Sequence, residues 1–156
     1  MSPAQLAGVL GRLPSGLFVL AARRGDEEDG MLASWVMQAG FEPPMISIAL
    51  RKDRRLAEWL AAGTPFVLNV LADDQLSLVR HFSRERPPGK AFSGLPLERT
   101  ATGLPLLDGV VGFLECEPAG KIDSGDHHVF LARVVAGRLA TGARPLVHIR
   151  KNGLKY

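Results

Sequence analysis

The sequence predicts a mainly β, α+β fold: an antiparallel barrel of six or seven strands with two or three short peripheral helices. Apolar runs of strand length recur along the chain, bounded by glycine, proline or charged turns. Helical periodicity is confined to short stretches, so strands do not alternate with helices as a doubly wound sheet requires. Closing such a sheet into a barrel removes the unpaired edges that would otherwise template aggregation.

Taken in order, Ser2 is placed to cap a helix with Pro3 at its first position, running to about Arg12. "LPSG" (13–16) ends it, and "LFVLAA" (17–22) reads as a strand. "RRGDEEDG" (23–30) is a charged hairpin connection, and "MLASWVM" (31–37) the returning strand. Pro43-Pro44 precede "MISIAL" (45–50), apolar throughout and so expected to be a central strand. Asp53 is placed to cap a helix that stops at Gly63, with Leu56, Trp59 and Leu60 on one face. "FVLNVL" (66–71) is another strand, and Asp73 or Asp74 opens a helix bearing Leu76, Val79 and Phe82. Residues 83–102 read as a long surface excursion. Strands follow in "VVGFLECE" (110–117), "KIDSGDHHVFLARVVAGRLA" (121–140) and "PLVHIR" (145–150).

The 156 residues make one domain, 1–156, large enough to bury a core. No apolar run approaches the ~20 residues of a membrane span, and the opening residues lack a cationic segment followed by an apolar one, the mark of a signal peptide. Cys116 is the only cysteine, which rules out an internal disulfide and a multi-cysteine zinc site. A cytoplasmic protein is therefore expected. The net charge is +3 and the pI about 9.4, yet the basic residues are scattered apart from "RKDRR" (51–55). Without a longer basic stripe and interleaved aromatics, a small anion fits that cluster better than nucleic acid.

Two constellations carry possible chemistry. Arg51 and Lys52 end a strand while Arg54 and Arg55 begin a helix, an arrangement of guanidiniums and free amides suited to phosphate. On spacing alone the plainer reading, a solvated helix start capped by Asp53, is favoured. "SGDHH" (124–128) presents Asp126, His127 and His128 at a turn; adjacent strand residues face opposite sides, so the two histidines do not share a metal, and no metal site is expected. Asp126 is placed to orient His127, though a turn aspartate beside a half-buried histidine is the plainer reading. Cys116 lies between glutamates that raise its pKa, Ser34 has no base nearby in sequence, and dinucleotide and P-loop glycine motifs are absent.

Four pieces in one order, "LPSGLFVL", "MLASWVMQAGFEPPMISIAL", "FVLNVL…LVRHFS" and "GLPLLDGVVGFLECE…GDHHVF", resemble the flavin reductase-like family over residues 13–156. "MLASWV", "PP" and "HIRKNGLKY" are most similar to the reductase-like module of the cyanobacterial diflavin flavoproteins. The resemblance implies a flavin-binding split barrel with FMN, or alternatively FAD, at a homodimer interface, and NADH or NADPH as electron donor. It places Leu32, Ala33 and Ser34 beside the flavin ring, with Trp35 next to them facing the ring or the dimer contact, although a plain core role for Trp35 is favoured. Gln38, Ala39 and Gly40 match a second contact segment where relatives carry Ser-Val-Ser. Arg51, Lys52, Asp53 and Arg54 match the phosphate-proximal stretch, and Phe82, Asp126 and His127 border the flavin and nicotinamide, the last two as the catalytic pair. The implied function is an NAD(P)H-dependent flavin reductase serving free flavin or another acceptor. The alternative is an FMN electron-transfer protein serving a protein redox partner.

Overall fold

The computed structural model describes residues 2–156. Helix α1 (Pro3–Gly11) starts at Ser2, whose hydroxyl accepts from the Gln5 amide, and Pro3 opens it. After a short β1 (Ser15–Gly16) comes the hairpin of β2 (Phe18–Arg24) and β3 (Glu27–Ala33). The expected eight-residue connection is only a two-residue turn at Gly25-Asp26, with Gly25 at φ 63°; the charged residues on either side pair strand to strand, Arg24 opposite Glu27.

The expected returning strand 31–37 is two strands. β3 ends at Ala33, opposite Phe18, and β4 (Val36–Phe41) begins opposite Ile48 of β5 (Pro44–Arg51). Ser34 and Trp35 lie between them outside any ladder, and the Trp35 carbonyl accepts from the Ala49 amide at 3.0 Å. The β4–β5 hairpin turns through a cis Glu42–Pro43 peptide.

Helix α2 (Arg55–Ala61) buries Leu56, Trp59 and Leu60, each worth about 1.5–3 kcal/mol or more of apolar transfer. Its cap is Arg54 rather than Asp53, because the Asp53 carboxylate pairs with Arg51 at 3.1 Å. β6 (Phe66–Val70) leads to α3 (Leu76–Phe82), which is preceded by Gln75 rather than an aspartate. The Gln75 amide accepts from the Ala72 amide and donates to the Asp108 carbonyl, tying both flanks of the helix start. The excursion after α3 contains a small hairpin, β7 (Leu97–Arg99) and β8 (Pro105–Leu107). Two 13-residue strands, β9 (Gly112–Ser124) and β10 (His127–Leu139), form a long hairpin, and β11 (Val147–His148) pairs with β1. The strand expected over 145–150 thus shrinks to two residues.

The main sheet has seven antiparallel strands in the order β3-β2-β6-β9-β10-β5-β4. Its two edge strands are consecutive in the chain and joined by two residues, so the sheet must curl until the edges meet. β3 and β4 do not pair, so the barrel is split, as the family resemblance implies, and not closed as the strand pattern alone suggests; the link across the seam is Ser34-Trp35. β5 is next to an edge, not central. The interior holds Leu20, Ile48, Phe66, Leu68 and Phe130, with α2 packed against them.

Candidate functional site

At the seam lies a cavity of about 610 Å³, within the range of small-molecule sites. Leu32, Ala33, Ser34 and Trp35 form one wall, Arg51 comes from the end of β5, Arg54 from the start of α2, and Phe82 from α3. A segment absent from the expected site supplies much of the remaining lining: His148, Ile149, Arg150, Lys151, Asn152, Lys155 and Tyr156. Five lining residues are cationic and none is Asp or Glu. Arg51 pairs with Asp53, and Arg54 with Glu85 at 3.5 Å, through carboxylates that are themselves exposed.

Trp35 is half-buried at the cavity, which corrects the core role favoured for it. Leaving the ladder at Ala33 turns its ring toward the rim, where the His127 and Tyr156 rings lie 4.8 and 5.8 Å away and the Arg150 guanidinium sits 5.1 Å from its centroid. Register explains His127: β10 runs beside β5 with His127 opposite Arg51, so two candidates 76 positions apart in sequence become neighbours. Its Nδ1 lies 2.7 Å from Asp126 Oδ1, and its Nε2 lies 2.8 Å from the Tyr156 hydroxyl. That contact with His127 holds the Asp126 carboxyl below its ordinary range, while burial raises the Tyr156 phenol. His148 is held low by burial and then by Arg150.

The remaining candidates lie apart. Lys52 Nζ binds Asp123 at 2.8 Å and clamps the β9–β10 hairpin, and Asp53 faces Arg51. Gln38, Ala39 and Gly40 are on edge strand β4; Gln38 and Gly40 line a second, apolar groove with Val36, Met37 and Met45. Among the described residues no group of three or more His, Cys, Asp or Glu is placed to hold a metal. The tail, although "HIRKNGLKY" carries part of the family resemblance, is not singled out as a wall of the site by the sequence; the density of Arg150, Lys151 and Lys155 before Tyr156 is the signal that marks it.

Residues 10–153 match the family model described as flavin reductase like domain. The chain belongs to the flavin reductase-like family. Diflavin flavoprotein A 1 of Synechocystis sp. is 36% identical over 97% of this chain and 27% of its own length. This flavin reductase-like chain therefore spans about a quarter of the curated relatives it matches. Among solved structures, the NADH:FAD oxidoreductase SgcE6 of Streptomyces globisporus C-1027 superposes with a TM-score of 0.85 at 27% identity, covering 96% of this chain and 86% of that one. The same protein, solved in complex with NAD and FAD fragments, covers 93% and 87% at the same TM-score and identity. BorF, the flavin reductase component of a bacterial two-component tryptophan halogenase, gives 0.83 at 25% identity over 96% and 95%.

Proposed function

We propose that the chain is an NAD(P)H-dependent flavin reductase that binds FMN in the seam cavity and passes electrons to free flavin or another acceptor. The observation that carries this is the cavity's composition: its lining combines small and aromatic residues with five cations and no carboxylate side chain. Ala33 and Ser34 leave room for a flat ring to approach the backbone, and Ser34 and the adjacent peptide groups supply polar contacts. Arg51 and Arg54 suit a phosphate, since their exposed acidic partners exchange readily for a better anion.

Bound there, the flavin supplies the two-electron chemistry that no side chain of this chain has. The protein's part is to bind, to orient and to exclude water. Trp35 and Phe82 give the cavity apolar surfaces, and the tail completes its lining. Holding a nicotinamide in register with the ring is worth up to ~7–11 kcal/mol of the barrier. A homodimer belongs to this reading: on edge strand β4, Met37 and Phe41 expose 67% and 89% of their surface beside Gln38 and Gly40, an apolar strip for a second copy. Residues 1–156 act as one domain in it.

Anaerobic titration tests the reading. FMN-loaded protein bleaches on addition of NADH or NADPH. Colour that survives both donors but yields to dithionite favours an electron carrier serving a protein partner, and failure to bind FMN rejects both.

A further inference from the structure

His127 does not line the cavity, whereas Tyr156 does. The imidazole is buried, 7% exposed, and held at both nitrogens. The Asp126 carboxylate only accepts hydrogen bonds, so Nδ1 carries the hydrogen shared with it. In the neutral ring Nε2 is then an acceptor, and the Tyr156 hydroxyl donates to it across 2.8 Å. The Tyr156 ring also lies 5.8 Å from Trp35, on the cavity side of the cluster.

We infer that Tyr156 is the group through which the Asp126–His127 pair reaches a ligand in the cavity, with the two acting behind it as positioning residues. This rests on the flavin reductase reading and adds a residue and a direction to it. While His127 is neutral, the phenol points its hydrogen at Nε2 and shows the cavity an oxygen lone pair. When His127 is protonated, Nε2–H donates to the phenol oxygen and the hydroxyl hydrogen turns toward the cavity. The phenol thus changes from acceptor to donor without losing its bond to His127. The charged groups facing it are Arg150 from the tail, Arg51 and Arg54 from the end of β5 and the start of α2, and Asp126 from the β9–β10 turn. The three cations favour a ligand atom carrying negative charge at the place where the hydroxyl points.

Two measurements test the inference. In cofactor-free protein, nitrogen-15 spectra of the His127 ring show Nε2 moving in Tyr156→Phe while Nδ1 stays in place; an unmoved Nε2 overturns it. In FMN-loaded protein, single-turnover reduction slows about tenfold in Tyr156→Phe and in His127→Gln, and by the same factor in the double variant, because the two lie on one path. A slow His127→Gln beside a Tyr156→Phe at the wild-type rate means that the imidazole acts directly, and losses that multiply to about a hundredfold mean independent roles; either overturns the inference. Neither does the inference survive if donors bleach both single variants at the wild-type rate, although the reductase reading then stands. If no donor bleaches the wild-type protein, the reductase reading fails, and the absorption band of bound FMN decides: equal shifts in both variants support Tyr156 as the contact, and unequal or absent shifts reject it.

Discussion

The Gly153 amide donates to the Ala7 carbonyl at 2.7 Å. With it the tail docks on α1: the Arg150 amide donates to Gly11, and Gly153 packs so closely on Leu10 and Gly11 that an added Cβ would overlap them. The contacts of Ala7, Leu10 and Gly11 with the tail thereby set where Arg150, Lys155 and Tyr156 stand at the cavity.

Gly153→Ala should therefore lift the tail. Overpacking of this kind costs about 1–3 kcal/mol, and because Arg150 and Tyr156 flank Trp35, its fluorescence should change and FMN affinity fall. A variant with unaltered fluorescence and affinity would show that the tail wall does not depend on this docking.

Arg51 and Arg54 are expected to hold the phosphate. Replacing both with alanine should weaken FMN binding by about 2–4 kcal/mol, from ~1.5–3 per charged hydrogen bond less the loss to solvent exposure. Calorimetric titration measures it, and unchanged affinity returns both residues to the surface.

Arg55 Nε lies 2.8 Å from Asp29 Oδ2, joining α2 to β3, and Asp29 is only 8% exposed. Arg55→Ala leaves that carboxylate without its cation. The expected loss is about 2–3 kcal/mol in urea unfolding, below the ~3–5 of a fully buried pair because the guanidinium is partly solvated.

Cys116 is buried, and its thiol is pushed up to about 12 by burial and then by Glu115. Iodoacetamide at pH 8 should leave the folded protein unmodified and label it once urea unfolds it. Rapid labelling of folded protein would contradict the buried placement.

His148 makes stability depend on pH. Its folded pKa lies below the unfolded value of ~6.5, so its contribution is present above that pH and is lost as pH falls through the folded value. Asp123 and Asp126 are also lowered, and their contributions disappear only at more acidic pH, below ~3.9. His148→Gln should flatten the fall in urea midpoint below pH ~6.5 and leave the acid limb unchanged.

Much of the architecture was legible in one dimension. Ser2-Pro3 marked the first helix, and the apolar runs marked β2, β5 and β6. Leu56, Trp59 and Leu60 declared the buried face of α2, because a stripe of period 3.6 needs no partner to be seen. The helix starts were less legible: Asp53 has the right chemistry for a cap, but Arg51 competes for its carboxylate from across the turn.

Residue patterning alone carries the antiparallel, strand-rich class, and the family resemblance of its motifs points to Leu32, Ala33, Ser34, Arg51, Arg54 and Phe82 of the cavity lining. Which distant pieces meet is set by sheet order, strand register and the docking of the tail. Sheet order brings β3 and β4 to one seam and leaves Ser34 and Trp35 outside any ladder. Register sets His127 against Arg51, and the docking of the tail on α1 brings Tyr156 to His127. These contacts depend on hydrogen-bond pairing and close packing between segments as far apart as Ala7 and Gly153, for which adjacent residues carry no signal.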